Sequence, residues 1–301
     1  MFLHLAQQLQ DEYPDNKKTV TIRGVDRDLY DQFVNLTTSF GGNVGIAFSS
    51  LLYMKNRQNI GLIHNHIKKI IHNKEKHIKF ELIENVDYLS ISHEDLISAG
   101  DGIKYIFKNI NQLVFDETVD NKTLLNYVHR IVHSKVEIKG TISKLFLLSI
   151  NQSKRQPLPI SGKLKDVTIR NVYAPIYDEF VGICHTEKIT IGDGVNNLFS
   201  EFIPFFEIHH LISKDHNLSI ADFIIISMQA EISITEQDLI DLENRSVIFH
   251  RISKLNFDPN INPSIFIKYV NAIYFSQELQ IPDEIPKLIR LSRVVSLPDS
   301  T

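Results

Sequence analysis

The chain holds a single cysteine, no tryptophan and only three methionines among its 301 residues. Cys184 alone cannot make an intramolecular disulfide, so the fold must rest on its own core, and a reducing compartment is expected. Long apolar runs are also missing. None approaches the ~18 residues that a membrane helix needs. The N-terminal MFLHLAQQLQDEYPDN has neither a cationic start nor the apolar length of a signal peptide. The reading is a cytoplasmic protein with no membrane partner. A strong charge of either sign is absent too. A net charge of −4 excludes a nonspecific polycation, so any contact with nucleic acid has to be local. With 43% apolar and 23% charged residues the chain is not disordered, and its length accommodates one to three domains.

What is present is a repeat. VTIRGVDRDLYDQF starts at Val20 and VTIRNVYAPIYDEF at Val167. Setting each residue of 18–52 against the one 147 further on gives twelve identities in thirty-five positions without a gap, among them Lys18, Thr21, Ile22, Arg23, Tyr30, Asp31, Phe33 and Gly45. The match resumes with small changes of offset: LSISHEDL (from Leu89) meets ISITEQDL (from Ile232), and IFKNINQLVFD (from Ile106) meets IFHRISKLNFD (from Ile248). The expectation is two tandem copies of one module, joined by the linker-like NQSKRQPLPISGK, that form a covalent pseudo-dimer rather than a solenoid.

Each copy opens on alternating polar and β-branched residues, TVTIR or DVTIR, which predicts a strand with Val and Ile on one face and Thr19, Thr21 and Arg23, or Asp166, Thr168 and Arg170, on the other. Asp26 is placed to cap a following helix, and Pro175 suits the first turn of its counterpart. Leu29, Phe33, Leu36 and Phe40, and Ile176, Phe180 and Ile183, recur at helical spacing. SFGGN and HTEKIT interrupt the period. A second helix then restarts it, with Asn43 and Thr190 at the N-cap positions.

This strand, helix, turn and helix resembles the ribbon-helix-helix fold of the Met and Arc repressors, over about a quarter of the chain. The resemblance implies that the two strands pair antiparallel into a ribbon that enters the major groove of double-stranded DNA. A lone ribbon strand cannot bury its apolar face; a duplication would supply both halves of one unit. Base contacts are then expected from Thr19, Thr21, Arg23, Thr168 and Arg170, the arginines bidentate to guanine. The resemblance also implies phosphate contacts at the start of each second helix, from Asn43, Val44 and Gly45 and from Thr190, Ile191 and Gly192. Asp166 departs from the pattern of its counterpart Thr19; it would face phosphates or accept from cytosine N4. Side-by-side oligomerisation on DNA is expected.

The predicted architecture is α+β: an N-terminal extension (1–17), ribbon-helix-helix copy 1 (18–54), an α+β unit (55–150), a linker (151–164), ribbon-helix-helix copy 2 (165–203) and a second α+β unit (204–301). In each α+β unit the order reads strand, short helix, strand, helix, with the repeated strands joining across the pseudo-twofold axis. Function is read as non-enzymatic, sequence-specific DNA binding, as in a transcriptional regulator; the alternative is an antitoxin-like scaffold that uses the core only for dimerisation. No cofactor or metal is expected. His129 and His133 are spaced as a zinc-binding pair on a helix, but Asn271 and Phe275 stand at the matching positions and no third ligand accompanies them. This pair and the histidines of HNHIKKIIHNKEKH and EIHHLISKDH read as surface residues, the glycines of GDGVNN and SAGDGIK as turns or helix starts, Cys184 as a packed or exposed helix residue, and Asp116 and Asp258 as turn caps. KKIIHNKEKHIK (Lys68 to Lys79) reads either as a solvated face or as a phosphate-contacting patch.

Overall fold

The computed structural model of the chain describes residues 9, 11–13, 16–39, 41–56, 79–98, 100, 102–153, 155–214 and 223–295. Strand β1 (Lys17–Asp26) buries Val20, Ile22 and Val25 and exposes Thr19, Thr21 and Arg23, as its alternation dictates. Asp26 ends it: its Oδ1 accepts the N–H groups of Asp28 and Leu29, each at 3.1 Å, and so starts α1 (Arg27–Ser39). After Gly41 and Gly42 comes α2 (Val44–Asn56). The chain then runs through β2 (Lys79–Glu84), β3 (Tyr88–Ile91), α3 (His93–Ile97), β4 (Ile103–Lys108), β5 (Gln112–Phe115), α4 (Asn121–Tyr127), β6 (Val128–Val132), β7 (Val136–Ile138) and α5 (Lys144–Ile150). The strand, helix, helix order returns in β8 (Leu164–Tyr173), α6 (Ala174–Glu187) and α7 (Ile191–Lys214), with a proline in the first turn of α6. Last come β9 (Phe223–Ser227), β10 (Glu231–Ile234), α8 (Glu236–Ile240), β11 (Ser246–His250), β12 (Lys254–Phe257), α9 (Pro263–Tyr269), β13 (Val270–Tyr274), β14 (Glu278–Gln280), α10 (Lys287–Arg293) and β15 (Val294–Val295).

The chain is a mixed α/β protein of two compact units, and each unit draws on both halves of the sequence: 1–74 with 157–218, and 75–156 with 219–301. In the first unit β1 and β8 pair antiparallel. Val20, Ile22, Val167 and Ile169 form the floor of this ribbon and are all buried, beneath which lie Leu29, Phe33, Phe48, Leu51, Ile176, Phe180, Leu198 and Phe199. Phe33 and Phe199 stack at 4.6 Å. Fully burying one such side chain is worth roughly 1.5–3 kcal/mol, so neither strand's floor is stable without the helices that cover it.

The second unit differs from the expected α+β arrangement. Among the described residues its sheets are all parallel, and each is built from one half of the chain: β2-β4-β6, β3-β5-β7, β15-β13-β11-β9 and β10-β12-β14. No strand joins its copy across an axis in these sheets. Each coil runs strand, corner, strand, helix, and successive coils stack in register, which is a solenoid geometry. The corner residue has a left-handed backbone: Asn85, Asn109 and His133 in one stack, and Met228, Arg251 and Phe275 in the other. Asn109 Nδ2 donates to Asn85 Oδ1 at 3.1 Å and Asn111 Nδ2 to Asp87 Oδ1 at 2.7 Å, both across 24 residues, so the period is that of one coil. IFKNINQLVFD is therefore two strands about a corner, and NKTLLNYVHRI is a helix followed by β6. Helix α5 joins the stacks: its Leu145 and Phe146 lie in the apolar core of the second.

Candidate nucleic-acid interface

Thr21 and Thr168 stand opposite one another at the centre of the ribbon, with their hydroxyl oxygens 3.2 Å apart. On either side the register slips by one residue, at Arg23-Gly24 opposite Asp166 and at Arg170-Asn171 opposite Thr19. The extra residues take positive φ, 72° at Gly24 and 63° at Asn171. Such bulges bend a strand and re-aim its side chains. Thr19, Thr21, Arg23, Asp166, Thr168 and Arg170 all remain exposed, opposite to the buried floor. The five residues expected to contact bases are thus brought onto one outward face.

Paired clusters brace the ribbon. Lys18 bonds Asp178 and lies over the Tyr177 ring at 4.8 Å; Lys165 bonds Asp31 at 2.7 Å and lies over the Tyr30 ring at 4.6 Å. Burial, and after it the adjacent aspartate, raises both tyrosine phenols above their ordinary range. Strand ends are matched as well: Asp26 N–H donates to Asn196 Oδ1 at 2.7 Å, and Tyr173 N–H to Ser49 Oγ at 2.9 Å. Asp26 is buried. Burial pushes its carboxyl up, but donors from Leu29, Ser161 and Gly162 outweigh this and hold it below the usual carboxylate range.

The second helices start against the bulges. A Cβ on Gly45 would lie 1.7 Å from the Arg170 carbonyl oxygen, and one on Gly192 would lie 2.2 Å from that of Arg23. Glycine is required at both for this close approach. Both are buried, and Gly45 N–H donates to Asn43 Oδ1 at 3.0 Å. Asn43 and Thr190 are exposed caps, with Thr190 Oγ1 accepting Asp193 N–H at 3.0 Å, while Val44 and Ile191 are half-buried beside them. The two helix starts differ: Asp193 lies in the first turn of α7, and the first turn of α2 holds no acid. A surface groove of about 690 Å³ runs along the α2 start, lined by Tyr30, Asp31, Asn43, Val44, Arg170 and Asn171 among others.

His129 and His133 do not share a helix. His129 lies on β6, with its ring 4.7 Å from that of Phe80, and His133 occupies the corner after the strand. Among the described residues no group of three His, Cys, Asp or Glu side chains could hold a metal ion. Asp116 and Asp258 accept the N–H groups of Thr118 and Asn260, at 2.9 and 2.8 Å. Cys184 is buried in α6, with its thiol pushed up by that burial. Phe40 and most of the basic stretch, Lys68 to Ile78, lie outside the described residues. Sequence reasoning missed the bulges and the glycine contacts, although Gly45 and Gly192 are identical in the repeat. No helix of the described residues is long and apolar enough to cross a membrane. No protein-family model, curated protein or solved structure matches the chain.

Proposed function

We propose that this chain binds double-stranded DNA in a sequence-specific manner, as a transcriptional regulator, and that its two ribbon-helix-helix copies form an intramolecular pseudo-dimer. The observation that carries the reading is the exposed face of β1 and β8, where Arg23 and Arg170 flank the Thr21–Thr168 pair while the apolar residues turn inward. A two-stranded ribbon fits the major groove, arginine pairs bidentately with guanine, and threonine suits base edges or the thymine methyl. The paired clusters Lys18–Tyr177–Asp178 and Lys165–Tyr30–Asp31 support an approximate twofold relation between the copies. Asn43 and Thr190, with the backbone of Val44 and Ile191, would lie against the flanking phosphates.

A second reading, a scaffold whose ribbon core serves only for dimerisation, draws on the net charge of −4 and on the aspartate beside Arg23. Fluorescence anisotropy with labelled duplexes over a salt series separates the two. A DNA binder loses affinity with a slope of about 0.9 per phosphate neutralised in a log–log plot; a scaffold shows no binding at low salt. Replacing Arg23 and Arg170 together by alanine should erase preference among duplexes more than it lowers nonspecific affinity. Equal loss on every sequence would refute base reading by these residues.

A further inference from the structure

We infer that the two ends of the ribbon are unequal: the Arg170 end reads bases, and Asp166 holds the Arg23 end back, so that the preferred DNA site is not a palindrome. This rests on the DNA-binding reading above. Asp166 is the only exposed carboxylate of β1 and β8. Its Oδ2 lies 4.0 Å from Arg23 Nε, with the two side chains 62% and 90% exposed. An exposed pair of this kind is weak in itself. Its effect lies in where the carboxylate stays when DNA approaches: on the reading face, among the acceptors of the groove and the phosphates. At the other end Thr19, which is neutral, stands across from Arg170, and among the described residues Arg170 makes no ion pair.

Two further differences point the same way. The bulge residue at the Arg170 end is Asn171, exposed and able to pair with adenine, whereas at the Arg23 end it is Gly24, which has no side chain. The helix start packed on the Arg23 carbonyl carries Asp193, and the one packed on the Arg170 carbonyl has no acid in its first turn. Asp31, which lines the groove beside Arg170, is engaged by Lys165 at 2.7 Å and by Arg27 at 3.6 Å.

The test uses the full chain and its D166T variant, which restores the residue found at Thr19, with D166N as a second variant that keeps the side chain's size. Each is presented with a randomised duplex library, and the selected duplexes are then titrated by anisotropy at fixed salt. The wild type should select a site without dyad symmetry. On it R170A should lose about tenfold or more in affinity, within the range that one bidentate arginine contact supplies, and R23A less than about threefold. In the D166T background the R23A loss should grow towards that of R170A, and the selected site should gain dyad symmetry, short of a full palindrome because Gly24 and Asn171 still differ. Equal losses for R23A and R170A in the wild type, or an R23A effect that D166T and D166N leave unchanged, would overturn the asymmetry while leaving DNA binding intact. A D166T loss confined to duplexes with a cytosine at one position would overturn the restraint of Arg23 by Asp166, since Asp166 would then read a base itself. Absence of salt-sensitive binding by the wild type would bring down the DNA reading and the asymmetry together.

Discussion

The contact between each second helix and the opposite bulge can be tested with a graded glycine series. Gly45→Ala places a Cβ 1.7 Å from the Arg170 carbonyl oxygen. An ordinary C···O contact is about 3.3 Å, so helix or ribbon must give way by roughly 1.6 Å. Both are backbone, and the cost should reach the upper end of overpacking, about 3 kcal/mol or more. Gly192→Ala, at 2.2 Å from the Arg23 carbonyl oxygen, needs a shift of roughly 1.1 Å and should cost about 2 kcal/mol. Gly182 is the control. It is exposed within α6 with nothing within 4 Å of its Cβ position, so Gly182→Ala should stabilise by about 0.5–1 kcal/mol through helix propensity. Hydrogen exchange read by mass spectrometry on peptides covering β1 and β8 reports this unit separately from the coils, and urea titration by circular dichroism reports the whole chain. Protection should fall in the order Gly182→Ala, wild type, Gly192→Ala, Gly45→Ala. Unchanged ribbon protection in Gly45→Ala would refute the packing argument.

Asp26 makes acid stability predictable. Its carboxyl sits below its ordinary value of 3.8 in the folded chain, so its contribution is complete above that pH and is lost as pH falls through the lower folded value. Asp26→Asn should destabilise by about 1–3 kcal/mol at neutral pH, and the gap from wild type in urea midpoint should close below about pH 4. A gap independent of pH would contradict the assignment. Cys184, buried and with a raised thiol, should react with a thiol reagent only after denaturant is added; prompt labelling of the native chain would place it at the surface. At the coil corners, Asn109→Ala removes both a side chain suited to positive φ and the bond to Asn85, and should lower the thermal midpoint by a cost of about 1–2 kcal/mol. No change would show that the corner carries no strain.

The ribbon half of the fold was legible because its signals are local and doubled. Period-two alternation over TVTIR recurs in DVTIR 147 positions on, while Asp26 in one copy and Pro175 in the other each mark a helix start over a few residues. The coils were not legible in the same way. Their strands are two to six residues long and flank a corner whose left-handed residue varies from Asn85 to His133 to Phe275, so the 24-residue period is carried by backbone geometry and by buried Ile and Leu rather than by identity. Helical spacing in NKTLLNYVHRI extended the reading across Val128, where the chain instead enters the parallel sheet on β4. The base-facing residues could be read from alternation. The close approach of Gly45 and Gly192 to the opposite strand could not, since such an approach leaves no pattern beyond the glycine itself.

On the proposed reading, joining both copies in one chain has two physical consequences. A ribbon shared by separate chains would exist only above its dimerisation constant, whereas here closure is intramolecular and independent of protein concentration. The entropic cost of closing ~147 residues grows only as the logarithm of that length, roughly 4 kcal/mol, a cost that burial of Val20, Ile22, Val167 and Ile169 alone is large enough to offset. The second consequence is freedom to diverge. In a homodimer any residue placed at the Arg23 end must also appear at the other, so an aspartate would blunt both. A fused chain can hold Asp166 at one end and Thr19 at the other, Gly24 in one bulge and Asn171 in its counterpart, and keep unchanged the buried floor on which both ends depend.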